Sequence, residues 1–272
     1  MNFSVSLCVY HKDNPSDFKK AIESISNAQS VKPSEIIIVV DGPIYGELKE
    51  VVEYYESQSD LFKIIWLPCN IGHAGARQAG LEAASHDIIA IMDADDISLP
   101  KRFELQLKAF EELPDVAVIG GQIKEFINYP SNIVSERIVP LVDGEIKKYL
   151  RSRCPMNLMT VMIKKAEIQN IGGFIDWYCE EDYNLWIRMA RAGCRFANLP
   201  ETLVNVRVGK EMYRRRGGWR YFKSEARLQG YMLKHRVISF PRYLFNVAGR
   251  FAVQVAMPTR LRGFVFQKLF RK

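Results

Sequence analysis

From its first residues the chain alternates short apolar runs with segments whose apolar positions recur every three to four residues. Residues 5–10 (VSLCVY), 35–40 (EIIIVV), 62–67 (FKIIWL) and 87–92 (DIIAIM) read as strands. Between them, 15–28 predicts a helix with Phe18, Ile22 and Ile25 on one face, and 47–57 and 73–84 predict two more. Further helices are predicted over 99–112 and from the acids at 180–182 to about Ala192. Near-continuous apolar strands separated by helices predict an α/β fold, with a largely parallel sheet, helices on both faces and right-handed crossovers. Ligands of such sheets collect beyond the carboxyl ends of the strands. Three polar groups stand there: Tyr10-His11-Lys12-Asp13, Asp41-Gly42 and Asp93-Ala94-Asp95-Asp96.

Each group has a plain reading beside a chemical one. Asp41-Gly42-Pro43 is a turn signal, and Asp96 and Ser98 suit capping of the helix predicted at 99–112, with Pro100 in its first turn. Capping needs one carboxylate, however, and leaves Asp93 and Asp95 unexplained. Side chains two apart lean into the same space, where a hard divalent cation would take their oxygens and itself hold phosphate. The segment NIGHAGARQAG (70–80) is a glycine-containing entry to a helix without the GxGxxG or GxxxxGK[ST] pattern. Arg77 within it is either a solvated helix residue or a phosphate-neutralising cation.

Composition narrows the class. With 272 residues, 48% hydrophobic and 25% charged, the chain can bury a sizeable core. The apolar run at 3–10 is short for a secretory signal and no uninterrupted apolar segment is long enough to span a bilayer, so a cytoplasmic location is expected. Five cysteines without CxxC spacing argue against a disulfide framework or a zinc site. The net charge of +7 is unevenly spread: residues 207–272 carry 17 Lys/Arg against 2 Asp/Glu, whereas 1–206 are net acidic. Two regions are expected, a catalytic domain over 1–206 and a basic helical extension over 207–272. In the second, the loop RRRGGW (214–219) is followed by helix-like segments at 221–234, 241–257 and 258–272, where Phe, Leu and Val alternate with arginines as in helices lying on an anionic membrane. Peripheral association with the inner face of the cytoplasmic membrane is the expectation. A nucleic-acid-binding protein would share the basic tail but leaves the acidic strand ends unexplained, so no nucleic-acid partner is expected.

Taken in order, IIIVVDG, NIGHAGARQAG, IMDADDISLPKRF and GGFIDWYCEEDYNLWIRMARAG resemble the sequence blocks of family 2 glycosyltransferases, inverting nucleotide-sugar enzymes of GT-A fold that build bacterial surface polysaccharides. The resemblance covers roughly the first two hundred residues. It implies that Tyr10 packs on the nucleotide base, Asp41 accepts a hydrogen bond from it, Arg77 lies near the diphosphate, Asp93 faces the ribose, and Asp95 binds Mn2+ or Mg2+. It further implies that Asp182 is the catalytic base, taking the proton of an acceptor hydroxyl; the donor expected is a UDP-hexose or UDP-N-acetylhexosamine, with a dTDP-sugar as the alternative. The acceptor would be a saccharide or lipid-linked saccharide. Two positions depart from the family pattern: the first strand ends CVYHKD rather than in a PTYN-like run, and Leu158 stands where a histidine is frequent. A sugar nucleotidyltransferase would share a nucleotide cleft and metal carboxylates, but such enzymes carry a glycine-rich basic loop where this chain has VYHKD.

Overall fold

The computed structural model describes residues 1–209 and 217–257. Strands β1 (Ser4–Val9), β2 (Glu35–Val40), β3 (Phe62–Trp66) and β4 (Ile88–Met92) alternate with helices α1 (Pro15–Ile25), α2 (Gly46–Gln58) and α3 (Gly72–Ala83), as the apolar pattern predicts. These four strands are all parallel, in the order β3-β2-β1-β4. Their registers align the carboxyl ends, with Leu7 opposite Met92, Val9 opposite Val40, and Val40 opposite Trp66. Tyr10, Asp41 and Asp93 therefore leave the sheet along one edge.

The rest of the sheet is mixed. After β5 (Ile97–Ser98) and α4 (Arg102–Glu112) come β6 (Val116–Phe126), β7 (Ile133–Arg137), α5 (Asp143–Leu150), β8 (Met162–Lys164), α6 (Lys165–Asn170), α7 (Glu181–Arg191) and β9 (Arg195–Arg207). β8 runs antiparallel to both β4 and β6, β6 and β9 are parallel, and β5 and β7 pair antiparallel at the margins. Helices α8 (Trp219–Lys234) and α9 (Phe240–Phe251) follow, and the segment 258–272, expected to lie on a membrane, falls outside the described residues.

Alternation along the strands divides the core into two layers. Ile36, Ile38 and Val40 of β2 join Phe18, Ile22 and Ile25 of α1, the face anticipated from their spacing, while Ile37 and Val39 point to the layer holding Leu81 of α3 and Trp186 of α7. β4 divides likewise, with Ile89 and Ile91 on the α3–α7 side. Leu228 and Met232 of α8, both fully buried, belong to that second layer, so the basic extension is packed into the fold along α8.

The capping expectation for Asp96 and Ser98 is not met. Residues 97–98 form β5 against β9, and α4 starts later, at Arg102, with no side-chain cap. Asp96 instead accepts from Arg207 N at 2.8 Å, and Ser98 Oγ accepts from Gln29 Nε2 at 3.1 Å. The physical reason is that strand pairing with β9 satisfies this backbone before the helix begins.

Candidate active site

Asp41 follows β2 and is buried, and its carboxylate gathers the entry to α3. Oδ1 accepts from Ile71 N at 2.7 Å, and Oδ2 accepts from Asn70 Nδ2 at 2.9 Å and Gly72 N at 3.1 Å. The two backbone donors are free helix-end N–H groups, and an anion suits that end. Three donors leave about one of the four lone-pair directions of the carboxylate for a ligand. Gly42 makes the approach possible: its φ is +87°, and a Cβ there would stand 2.6 Å from Asn70 N. Tyr10 lies beside this loop, its ring 6.4 Å from that of His73 and 5.4 Å from that of His11, and its N–H donates to Asp13 Oδ2 at 2.9 Å.

Beyond β4 the acids gather. Asp93 continues the side of the strand that faces α3, and Arg77 Nη2 meets its Oδ1 at 3.0 Å while Nη1 meets Glu181 Oε1 at 2.8 Å. Arg77 is 9% exposed; burial alone would ease its proton away, but the Asp93 and Glu181 carboxylates more than reverse that, raising its pKa. Burial, with the charge of Asp93 added, pushes the Asp95 carboxyl up to about 6, against the opposing pull of Arg207. Asp13 is pushed up to about 7, by burial first and then by the Asp95 and Asp93 charges, although the Tyr10 N–H lowers it. Arg207 clasps the cluster from β9: its Nε donates to Asp95 O at 3.2 Å and its Nη2 meets Asp17 Oδ1 at 2.7 Å.

Asp182 sits in the first turn of α7, behind Cys179, whose φ is +57°. Tyr183 N donates to its Oδ1 at 2.6 Å and the Cys154 thiol lies 3.6 Å from its Oδ2. Burial first, then the neighbouring Glu181, raises its carboxyl above the ordinary range. Together with residues of α8 and α9 it lines a cavity of about 440 Å³. Thus the structure brings Arg77, Asp93 and, through Glu181, Asp182 into one connected group, and sets Tyr10 and Asp41 along the same strand-end edge. The spacing of the sequence did not point to Asn70, Glu181 as the second partner of Arg77, or Arg207. For Asn70 a local signal existed, an amide side chain just before Ile71-Gly72 at a helix start. Arg207 and Asp96 lie 111 positions apart, and no local pattern joins them.

The chain matches Glycosyl transferase family 2 over residues 4–175. It is 34% identical over 266 residues, 98% of each chain, to the amylovoran biosynthesis glycosyltransferase AmsE of Erwinia amylovora. It is 33% identical over 270 residues, 99% of this chain and 97% of the relative, to the UDP-Gal:alpha-D-GlcNAc-diphosphoundecaprenol beta-1,3-galactosyltransferase of Escherichia coli. In fold it is similar to the mannosyltransferase PcManGT of Pyrobaculum calidifontis, solved in complex with GDP-Man and Mn2+, with a TM-score of 0.64 over 98% of this chain and 80% of that one at 15% identity. That likeness shows the GT-A fold implied by the resemblance. On the family match and on relatives that span almost its whole length, the chain belongs to glycosyl transferase family 2 and is a glycosyltransferase.

Proposed function

We propose that this glycosyltransferase moves a sugar, with inversion, from a nucleoside-diphosphate sugar bound along the strand ends to a hydroxyl of a lipid-linked saccharide during surface polysaccharide synthesis. The observation that carries the reading is the single connected group in which Arg77 touches Asp93 of the donor side and Glu181 beside Asp182. Tyr10 offers a ring to the nucleotide base. Asp41 holds the 70–72 loop and keeps one oxygen direction for the base, and Asp93 faces the ribose. Asp182 takes the proton of the acceptor hydroxyl as it attacks the anomeric carbon, a task worth about 10² to 10⁴ in rate. Its raised carboxyl suits a base that must hold that proton through the transfer.

The residues present fit a divalent cation. Asp95, helped by Asp93, supplies hard oxygen donors amid an excess of negative charge that lifts the Asp95 and Asp13 carboxyls. Among the described residues no group of three or more His, Cys, Asp or Glu side chains is arranged to enclose a metal, so substrate phosphate and water would complete the coordination of Mn2+ or Mg2+. When bound, such an ion stabilises the charge that develops on the leaving diphosphate. UDP is the nucleotide we assign, supported by the UDP-Gal donor for which the Escherichia coli relative is named.

The division into a catalytic part, 1–206, and a basic part, 207–272, belongs to the same proposal. Among the described residues no helix is long and apolar enough to cross a membrane. The outer side of α9 exposes Phe240, Leu244 and Phe245 next to Arg242, a composition that suits peripheral attachment to an anionic cytoplasmic leaflet. Product analysis tests the central claim: incubation with UDP-sugars, Mn2+ and a saccharide-diphosphate-lipid acceptor should release UDP. Release of pyrophosphate would identify a nucleotidyltransferase instead. Vesicle sedimentation at two salt concentrations tests attachment, and protein that ignores anionic lipid at both would refute it.

A further inference from the structure

The turn 93–96 belongs to neither β4 nor β5, so the aim of the Asp95 carboxylate depends on what holds that turn. Arg207, the last residue of β9, holds it twice. Its N–H donates to Asp96 Oδ1 at 2.8 Å, and its Nε donates to Asp95 O at 3.2 Å. Asp96 is buried, and a buried carboxylate needs such a donor.

The guanidinium is itself fixed from three further directions. Nη2 meets Asp17 Oδ1, in the first turn of α1, at 2.7 Å, and Nη1 donates to Asn128 O, just beyond β6, at 3.1 Å. Its Cζ stands 4.8 Å from the centre of the Phe126 ring. The backbone of Arg207 is held as well, opposite Phe126 in the parallel register of β6 and β9. Each guanidinium nitrogen therefore has a partner, and the three partners lie on three different segments of the chain.

The choice of partner at the acid turn is the informative observation. A cation placed only to balance charge would fork onto the Asp95 carboxylate, the geometry that best suits a guanidinium. Here Nε takes the Asp95 carbonyl instead, and among the described residues no ion pair engages the Asp95 carboxylate. An arginine that grips the backbone and spares the side chain leaves that carboxylate open to a hard cation.

We propose that Arg207 is a positioning residue for the cation site: it ties the backbone of Asp95 and Asp96 to β9, β6 and α1, so that the Asp95 carboxylate is aimed before the metal arrives. The assignment rests on the reading of Asp95 as the metal ligand. It assigns Arg207 no contact with substrate or with the reacting atoms.

The test is titration of the full chain with Mn2+ in the presence of UDP, read from the paramagnetic signal of free Mn2+, beside amide hydrogen exchange of the metal-free chain. Arg207→Met should weaken Mn2+ about 10- to 100-fold, the usual effect of removing a residue that orients a metal ligand. The sign is decisive, because charge alone predicts the opposite: taking a cation away from a cation's site should tighten Mn2+. Arg207→Lys keeps the charge, but one ammonium cannot serve three separated acceptors in the fixed geometry of the fork, so it should weaken Mn2+ too, by less. Without metal, amides at 93–98 should exchange faster in Arg207→Met while those of β1 and β2 keep their wild-type rates. Unchanged or tighter Mn2+ binding in Arg207→Met, wild-type affinity in Arg207→Lys, or faster exchange spread equally over β1 and β2 would each overturn the assignment. Wild-type chain that ignores Mn2+ while exchange at 93–98 still responds to Arg207→Met would sink the metal reading and leave the tether. Normal Mn2+ binding with exchange at 93–98 unaltered by Arg207→Met would sink the tether and leave the metal reading.

Discussion

The thiol of Cys154 lies 3.6 Å from Oδ2 of Asp182, so the carboxylate that faces the cavity has a weak donor on one oxygen and the Tyr183 N–H on the other. Asp182→Asn keeps the size and much of this bonding but cannot accept a proton. Transfer should fall by about 10² or more while UDP affinity stays within error of wild type. Equal loss of stability and of activity would point to a structural carboxylate.

The same group fixes the pH dependence. Burial and Glu181 raise the Asp182 carboxyl, and the proposed base works only when ionised, so kcat/KM should fall as pH drops through a value above the ordinary carboxylate range. Glu181→Gln removes a like charge and frees the field of Arg77, both of which favour the ionised form. The acid limb of its pH–rate profile should therefore move to lower pH. A limb that stays in place would assign it to another group.

Asp95→Ala should abolish Mn2+-dependent donor binding with little change in melting temperature, since its side chain closes no ion pair among the described residues. Asp93→Ala should weaken donor binding less but cost stability, because it strips Arg77 of a partner. Calorimetric titration of UDP with and without Mn2+, set beside thermal melts, separates the two.

Arg77→Met leaves Asp93 and Glu181 facing each other in a largely dry site. Removing one partner of a buried ionic group typically costs about 3 to 5 kcal/mol, and the lower end applies here because the Asp93 side chain is 30% exposed. Urea denaturation should show a loss of roughly 3 kcal/mol. Glu181→Gln in the same chain should restore part of it, and strict additivity of the two losses would show that they do not interact.

Leu228 of α8 is fully buried in the layer that holds Trp186. Leu228→Ala should cost about 2 to 5 kcal/mol, the usual range for opening such a cavity. A loss below 1 kcal/mol would mean that α8 is only loosely attached to the catalytic layer.

The sequence was most legible where burial is two-sided and local. The runs EIIIVV and DIIAIM announce β2 and β4, and with them the edge where Asp41 and Asp93 emerge. β9 was not legible: Pro200 and Glu201 interrupt it, and proline ordinarily argues against a strand interior. β6 hides in a similar way, with Gly120-Gly121 in its middle and shifts of register beside them. β5 and β8 are too short to show a period. At the site, the acids and Arg77 were visible as residue types, but the partners were not. Glu181 reaches Arg77 across 104 positions, and the cavity that Asp182 lines is built in part from α9, which composition marked only as basic and amphipathic.

Arg77 is one cation divided between two carboxylates, and this has a thermodynamic consequence. Any ligand that draws Asp93 or its charge away from the guanidinium strengthens the hold of Arg77 on Glu181 and changes the field at Asp182 next to it. With the proposed donor at Asp93 and the proposed acceptor at Asp182, the two affinities are then coupled, and linkage requires the coupling to be reciprocal: whatever factor the nucleotide imposes on acceptor binding, the acceptor imposes on the nucleotide. A charge that belongs wholly to neither subsite thus makes occupancy of each one legible at the other.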